Sequence, residues 1–194
     1  MKSHLITHLI ESSIQVKNAL LNDKEILNGI SLASDKITEA FRNGKKVLFC
    51  GNGGSAADAQ HIAAELSGRF YTDRPPLFAE ALHVNTSYLT AVANDYSFDV
   101  VYQRLIQAFG QEGDILVGIT TSGNSTNVVL AMEEARSRGM ITIGMTGEKG
   151  GKLNACSDII LRVPSQDTPR IQECHILIGH ILCQMIEEEI FPKR

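Results

Sequence analysis

The sequence predicts an α/β fold in which a parallel β-sheet is covered by α-helices on both faces. From residue 47 onwards, short apolar runs alternate with longer segments of helical composition, a pattern typical of strands joined by crossover helices. The chain has 194 residues, of which 43% are hydrophobic, and this is enough for one domain with a substantial core. Because the chain contains neither an internal repeat nor a linker-like tract, we predict a three-layer α-β-α sandwich in a single domain, residues 1–194.

The N-terminal segment, residues 1–43, predicts two helices ahead of the sheet. Isoleucines at positions 6, 10 and 14 follow helical spacing. A break is expected at Asn22-Asp23, after which the apolar pattern resumes and reaches Phe41. Gly44 is expected to end the second helix, since glycine readily adopts the left-handed conformation that follows a helix. We expect these helices both to cover the sheet and to pair with another subunit.

The α/β core, residues 44–194, contains the predicted strands. They are the apolar runs 47–50, 78–83, 114–119, 141–145 and 158–163. Helices are predicted at 55–68, 98–109 and 125–138, and a long last helix at 169–189 begins with a proline, a residue favoured in the first turn. Because ligands of parallel sheets bind at the carboxyl ends of the strands, a functional site is expected in the loops there.

Composition excludes several classes of protein. The formal net charge of −4 comes without a basic patch that could attract nucleic acid or acidic lipid. No run is apolar enough to span a bilayer, and His4, His8 and Glu11 interrupt what could otherwise be a secretory signal. The four cysteines show no CxxC pairing, which favours reduced thiols in a cytoplasmic protein. Cys50, at the end of the first strand, is expected to be a small core residue.

Two loops rich in glycine and hydroxyl side chains follow the first and third predicted strands. We call residues 51–55 the glycine loop and residues 120–125 the serine–threonine loop. Glycines let backbone amides turn inward, hydroxyls add donors, and a helix N-terminus behind each loop favours an anion. The serine–threonine loop alone is equally consistent with helix capping and turn chemistry. Two such loops on neighbouring strand ends favour a phosphate group.

The glycine loop also permits a dinucleotide site as an alternative. Gly51, Gly53 and Ala56 satisfy the G-x-G-x-x-G/A pattern of such sites. A dinucleotide site also requires an acidic residue at the end of the second strand, where it holds the ribose, but residues 83–85 contain no carboxylate. We therefore predict a small phosphorylated ligand and no nucleotide cofactor.

Proton-handling side chains follow the glycine loop. His61 and Glu65 are four residues apart and project from one face of a helix, although such a pair is also a common surface ion pair. The last helix carries Gln172 and His180, and His180 is expected to be buried because its neighbours are apolar. These two are about 12 Å apart along the axis, so they could meet only if both leaned inward or one came from another subunit. His175 is expected to serve packing or a subunit contact.

The motifs GNGGSAADAQHIAAEL, Asn94-Asp95, TTSGNS and RIQECHILIGH together resemble those of phosphoheptose isomerases, the sedoheptulose 7-phosphate isomerase branch of the SIS (sugar isomerase) fold. The resemblance covers nearly the whole chain. It implies a five-stranded, flavodoxin-like sheet and the interconversion of sedoheptulose 7-phosphate and D-glycero-D-manno-heptose 7-phosphate, the first step towards activated heptose for bacterial surface polysaccharide. It also implies one Zn²⁺ ion per subunit and a homotetramer with active sites built between subunits.

The resemblance also implies roles for individual residues. The substrate-binding residues would be Asn52, Gly53, Gly54, Ser55, Glu65, Asn94, Asp95, Thr120, Thr121, Ser122, Ser125 and Gln172. The zinc ligands would be His61, Glu65, Gln172 and His180. The acid–base pair would be Glu65 and His180. Thr120 stands where many relatives have serine, a change that keeps the hydroxyl.

The chemistry of aldose–ketose isomerisation needs side chains of these kinds. A base moves a proton between adjacent carbons, an acid lies near the carbonyl, and the developing oxyanion of the enediol is stabilised. We assign Glu65 as the base and His180 as the acid, with zinc either polarising the carbonyl or ordering the site. The alternatives are a non-catalytic SIS module that binds a sugar phosphate or a protein, and an isomerase of another sugar phosphate.

Two further features receive assignments from the sequence. The acidic run 187–189 is expected to be a solvated helix end. Arg69 could contact a ligand or could be an ordinary surface arginine.

Overall fold

The computed structural model describes residues 2–192 and confirms the predicted α/β sandwich. Its helices are α1 (Lys2–Asn22), α2 (Lys24–Arg42), α3 (Gly54–Ser67), α4 (Thr86–Asp95), α5 (Val101–Phe109), α6 (Thr126–Ser137), α7 (Leu153–Cys156) and α8 (Thr168–Ile190). Its strands are β1 (Val47–Gly51), β2 (Ala79–Ala81), β3 (Ile115–Ile119), β4 (Ile141–Gly147) and β5 (Ile159–Val163). Across residues 2–192, none of the helices has the length and hydropathy needed to cross a membrane.

The five strands form one parallel sheet in the order β2-β1-β3-β4-β5. Val47 of β1 pairs with Ala79 of β2 on one side and with Ile115 of β3 on the other. Every residue of β1 and β3 is buried, as expected for strands covered on both faces. The direction of winding reverses between β1 and β3, and in open parallel sheets such a switch point is where ligands bind.

Two separate apolar clusters cover the two faces of the sheet. One includes Ile37 of α2, Ile62 of α3 and Ile178 of α8. The other includes Ile106 of α5 and Met132 of α6. The helices that follow β1 and β3 therefore lie on opposite faces, so the glycine loop and the serine–threonine loop diverge, an arrangement that in open parallel sheets creates a crevice for ligands.

The N-terminal helices meet where the sequence predicts a break. The Asp23 carboxylate caps α2 by accepting hydrogen bonds from the backbone N–H groups of Glu25 at 2.9 Å and Ile26 at 3.2 Å. Gly44, with φ of 68°, follows the other end of α2 as predicted. α2 packs against β5 and α8 and so covers the sheet, whereas Leu20 is the single buried residue of α1. Covering of the sheet, one of the two roles expected of the N-terminal helices, is therefore carried mainly by α2.

Other predictions about individual residues had mixed outcomes. Cys50 is fully buried, as expected of a core residue. His175 is also fully buried and its Nε2 lies 3.2 Å from the Thr146 carbonyl oxygen, so it serves packing. The expectation of a solvated acidic helix end is wrong for Glu187, which is 3% exposed because its carboxylate binds the loop that follows α3.

Candidate active site

The glycine loop enters α3 through a turn that requires glycine. Gly53 precedes the helix with φ of 55°, a backbone conformation that is unfavourable for residues other than glycine. A Cβ on Gly51 would lie 2.7 Å from the Ser55 carbonyl oxygen, and the Tyr102 hydroxyl donates to the Gly51 carbonyl at 2.6 Å. The tight turn sets the positive N-terminal end of α3 against the crevice, where it favours an anion.

Hydroxyl groups of the serine–threonine loop contact one another. Thr120 Oγ1 lies 2.8 Å from Ser125 Oγ and 3.4 Å from Ser122 Oγ. Ser125 stands at the N-cap of α6, yet its side chain makes no capping hydrogen bond, so capping does not explain this residue. Turn chemistry does hold for Ser122, whose Oγ accepts from the Asn124 N–H at 3.1 Å. Clustered hydroxyls at a helix N-terminus can donate to several oxygens of a phosphate.

A pair of asparagines joins the glycine loop to the first turn of α6. The side-chain amide of Asn52 donates to Asn127 Oδ1, and that of Asn127 donates to Asn52 Oδ1, each at 2.9 Å. Asn127 is 2% exposed, so both bonds are largely shielded from water. The sequence contained no signal for Asn127, since an asparagine near the start of a helix is common. The reciprocal bonds fix the spacing of the two loops.

A second glycine turn, Gly150-Gly151, lies against the serine–threonine loop. Gly123 has φ of 68°, and a Cβ there would overlap the Gly150 carbonyl oxygen. The Leu153 N–H donates to the Gly123 carbonyl at 3.1 Å. Thr121 and Ser122 also line a cavity of about 250 Å³ at the carboxyl ends of β3, β4 and β5. This turn was not predicted from the sequence, although two consecutive glycines after the fourth strand were a visible signal.

Three side chains from α3 and α8 converge at one point. His61 Nε2 lies 3.0 Å from Glu65 Oε1 and 3.4 Å from His180 Nε2. The Phe70 ring packs on His180 with a centroid separation of 5.7 Å. His180 is nevertheless partly exposed, so the expectation of burial is wrong: its apolar neighbours face the core while its ring turns towards His61. We call His61, Glu65 and His180 the His–Glu–His cluster.

The His–Glu–His cluster fits a metal ion. Its three ligand atoms all lie within 4.8 Å of one another. Tetrahedral zinc with bonds of about 2.1 Å would require ligand separations of about 3.4 Å, close to the two distances above. Two histidines and one glutamate are also a known catalytic zinc set, in which the fourth position stays open for water or substrate. The donor set therefore has the chemistry and spacing to hold a metal and to leave it accessible.

Asp58 lies one turn before His61 on α3. Its Oδ2 is buried and has no hydrogen-bond partner among residues 2–192. Burial raises the pKa of this carboxyl to about 6, although the nearby His61 opposes the rise. Asp58 therefore places a carboxyl with a raised pKa beside the cluster, a feature that was not predicted from the sequence.

Gln172 and the Asn94-Asp95 pair have other contacts. A Cβ on Gly54 would overlap the Gln172 side-chain amide, so Gln172 lies against the glycine loop. Its role as a fourth metal ligand stays a prediction. Asn94 Nδ2 donates to Asp95 Oδ1 at 2.9 Å, and within residues 2–192 no hydrogen bond joins this exposed pair to another candidate residue. Arg69 is exposed.

Comparisons with known proteins identify the relatives of this chain. The SIS domain family matches residues 14–147. The phosphoheptose isomerase of Aneurinibacillus thermoaerophilus is 51% identical over 194 residues, which cover 100% of this chain and 98% of that protein. Phosphoheptose isomerase 2 of Campylobacter jejuni is 48% identical over 193 residues, covering 100% of this chain and 96% of that protein.

Solved structures of phosphoheptose isomerases are also similar to this chain. The phosphoheptose isomerase of Neisseria gonorrhoeae superposes with a TM-score of 0.91 at 42% identity, covering 97% of this chain and 100% of that one. The corresponding structure from Francisella tularensis has a TM-score of 0.92 at 41% identity, covering 97% and 99%. Similarity at this level over the full length confirms the resemblance found in the sequence motifs. The chain therefore belongs to the phosphoheptose isomerase family of SIS-domain proteins.

Proposed function

We propose that this chain interconverts sedoheptulose 7-phosphate and D-glycero-D-manno-heptose 7-phosphate and so supplies heptose for bacterial surface polysaccharide. The observation that carries the proposal is the convergence of His61, Glu65 and His180 near a crevice that two anion-favouring loops enclose. Full-length relatives named phosphoheptose isomerase, at 48% to 51% identity, support the substrate class.

The phosphate end of the substrate would occupy the crevice between the two loops. The N-termini of α3 and α6 meet there from opposite faces of the sheet, and both favour negative charge. The hydroxyls of Thr120 and Ser125, 2.8 Å apart, would donate to phosphate oxygens. From Ser55 to His61 and Glu65 the helix rises about 9 and 15 Å, a span that a seven-carbon sugar can bridge.

The other end of the sugar would then lie at the His–Glu–His cluster. Oε1 of Glu65 faces His61 at 3.0 Å, so we assign its second oxygen to take the proton from the carbon next to the carbonyl. His180 would hold the proton that moves between the two oxygens. A zinc ion bound by His61, Glu65 and His180, with Gln172 as the predicted fourth ligand, would polarise the carbonyl. Glu65 bound in this way would give up some basicity.

The substitution Glu65→Gln tests the proton transfer. We expect turnover of sedoheptulose 7-phosphate to fall by roughly 10²-fold to 10⁴-fold, the usual contribution of a general base. Exchange of the substrate proton with D₂O, followed by NMR, should stop, while titration calorimetry should show sugar phosphate binding largely intact. Glu80→Gln, the same chemical change at an exposed position of β2, is the matched control.

Near-wild-type turnover in Glu65→Gln would refute the assignment. Conversion by the wild-type chain should also be measured with a chelator and with added Zn²⁺. If neither condition gives conversion although the sugar phosphate binds, the chain is a regulatory module rather than an isomerase.

We propose in addition that the chain forms a homotetramer with active sites between subunits. Five large apolar residues of α1 are 48% to 57% exposed: Leu5, Ile6, Leu9, Ile10 and Ile14. An apolar patch of this kind marks an interaction surface. The separation of the Asn94-Asp95 pair from the other candidate residues also supports a contribution from a neighbouring subunit.

Charge placed on α1 tests the assembly. Ile6→Lys combined with Ile10→Lys should give a smaller species in sedimentation and lower activity, because two lysines cannot be desolvated in an apolar interface. His4→Lys with His8→Lys places the same charges at the same spacing on the same exposed helix and should leave the mass unchanged. An unchanged mass in the isoleucine variant would exclude this surface as the interface.

Domain organisation and location complete the proposal. We infer that residues 1–194 form one domain, because α2 packs on β5 and α8 of the core. A cytoplasmic location is supported by the four cysteines, all of them buried free thiols, which suit a reducing compartment.

A further inference from the structure

The loop between α3 and β2 is held by a single buried carboxylate. Glu187 of α8 is 3% exposed and lies seven residues after His180, about 10 Å along the helix. Its carboxylate accepts backbone N–H groups from Phe70 at 3.2 Å, Tyr71 at 3.0 Å and Thr72 at 2.9 Å. Three converging amides make a site for a negative charge rather than for a neutral side chain.

Arg74 neutralises this carboxylate and also binds the C-terminal end of α3. The Arg74 side chain is 2% exposed, and its Nε donates to Glu187 at 3.1 Å. The rest of the guanidinium donates to carbonyls in the last turn of α3, those of Leu66 at 2.8 Å and Glu65 at 2.9 Å. A cation at a helix C-terminus is favoured by the helix dipole, so one guanidinium caps α3 and pairs with α8.

These contacts lead directly to the His–Glu–His cluster. Arg74 binds the backbone of Glu65, a member of the cluster. Glu187 fixes the backbone of Phe70, whose ring packs on His180 with a centroid separation of 5.7 Å. Arg74 therefore contacts a cluster residue through its backbone, and Glu187, itself on α8, is connected to His180 through Phe70.

We propose that Arg74 and Glu187 are positioning residues for the His–Glu–His cluster. They act on it through the Glu65 carbonyl and the Phe70 ring, without touching substrate or metal. The pair sets the separation of α3 from α8 on one side of the cluster and thereby the distances between its ligand atoms. This inference rests on the proposed function only for the catalytic role of the cluster. The claim that the pair sets the distances between the three side chains does not depend on that role.

The test compares changes in the pair with a change in another buried ion pair. Glu187→Gln removes the charge with little change of shape, and Arg74→Lys keeps the charge but loses the planar fork that binds two partners at once. Asp114→Asn is the control, since Asp114 is 1% exposed and pairs with Lys46 at the amino ends of the strands, away from the cluster. If Glu187→Gln does not fold, Arg74→Lys decides the question.

Three quantities are measured on protein shown to be folded by circular dichroism. We expect Zn²⁺ affinity to weaken roughly 10-fold to 100-fold in both variants, as when residues that orient metal ligands are changed. We expect kcat to fall while KM for sedoheptulose 7-phosphate stays nearly constant, because the phosphate loops are intact. The imidazole NMR signals of His61 and His180 should shift, and Asp114→Asn should change none of the three.

Folded variants with wild-type Zn²⁺ affinity and unmoved imidazole signals would overturn the proposal, and the pair would then serve stability alone. If the wild-type chain binds no Zn²⁺ and converts no sugar phosphate, the proposed function fails. The imidazole signals of the variants still decide whether Arg74 and Glu187 position the cluster.

Discussion

The buried imidazole of His175 makes the stability of this protein depend on pH. His175 is fully buried, its Nε2 lies 3.2 Å from the Thr146 carbonyl oxygen, and its Nδ1 has no hydrogen-bond partner among residues 2–192. A protonated ring would need an acceptor at both nitrogens. Burial lowers the pKa of His175 from 6.5 to about 4, although the bond to Thr146 opposes the change.

The direction of the effect follows from proton binding. Between about pH 4 and pH 6.5 the unfolded chain binds a proton at this histidine and the folded chain does not, so the free energy of unfolding rises with pH in that range. The contribution is fully present above pH 6.5 and is lost as pH falls towards 4. At about 1.4 kcal/mol per pH unit, the loss amounts to about 3 kcal/mol.

Urea unfolding at a fixed protein concentration, followed at several pH values from 8 to 4, measures this contribution. Asp58 also titrates in this range, so the informative quantity is the difference between the wild type and His175→Gln, in which an amide can still donate to Thr146. That difference should change by about 3 kcal/mol across the range. His8→Gln, at an exposed position of α1, should follow the wild type. Parallel pH curves for the wild type and His175→Gln would refute the reasoning.

Two further predictions concern the loops of the site. Gly44→Ala introduces only backbone strain, since φ is 68° and no heavy atom lies within 4 Å of the new Cβ, and should lower the free energy of unfolding by about 1 kcal/mol. At Gly123 the backbone has the same φ, but the new Cβ of Gly123→Ala would also overlap the Gly150 carbonyl oxygen. Gly123→Ala should therefore lower the free energy of unfolding more than Gly44→Ala does, and it should weaken sugar phosphate binding. Equal losses of free energy in the two variants would show that the overlap is relieved. Asn127→Ala leaves Asn52 with an unpaired amide and should lower the free energy of unfolding by about 1–3 kcal/mol. A double-mutant cycle with Asn52→Ala that shows no coupling would contradict the reciprocal bonds.

Elements with a clear hydrophobic period were predictable, and those without one were not. The five strands and the helices α2, α3, α6 and α8 lie within a few residues of their predicted bounds, because each buries a continuous run or stripe. The helix α1 was predicted from an apolar stripe at helical spacing that is exposed in the structure. α4 was missed because Val92 is its one buried residue, which leaves no stripe to detect. α4 begins where the Asn85 side chain accepts the Tyr88 N–H at 3.1 Å.

The candidate site was predictable in its motifs but not in its connections. His61 and Glu65 could be paired from their spacing, whereas the approach of His180 depends on how closely α3 and α8 pack. A Cβ on Gly179 would overlap the Ile62 side chain, so the close packing of α8 on α3 requires glycine at this position. No local pattern in the sequence predicts that requirement. The burial of Glu187 was not predictable either. A charged side chain is usually exposed to solvent, and Arg74, the partner of Glu187, lies 113 residues away in the sequence.

The position of α8 at the end of the chain has a consequence for synthesis on the ribosome. His180 joins His61 across 119 residues, so the His–Glu–His cluster cannot form until almost the whole chain has been translated. All five strands precede α8, and while it is missing, Ile62 and Leu66 of α3 lack part of the packing that buries them. A metal ion could therefore bind the complete cluster only after every strand of the sheet has been translated. The last helix thus both packs into the core and supplies His180 to the cluster.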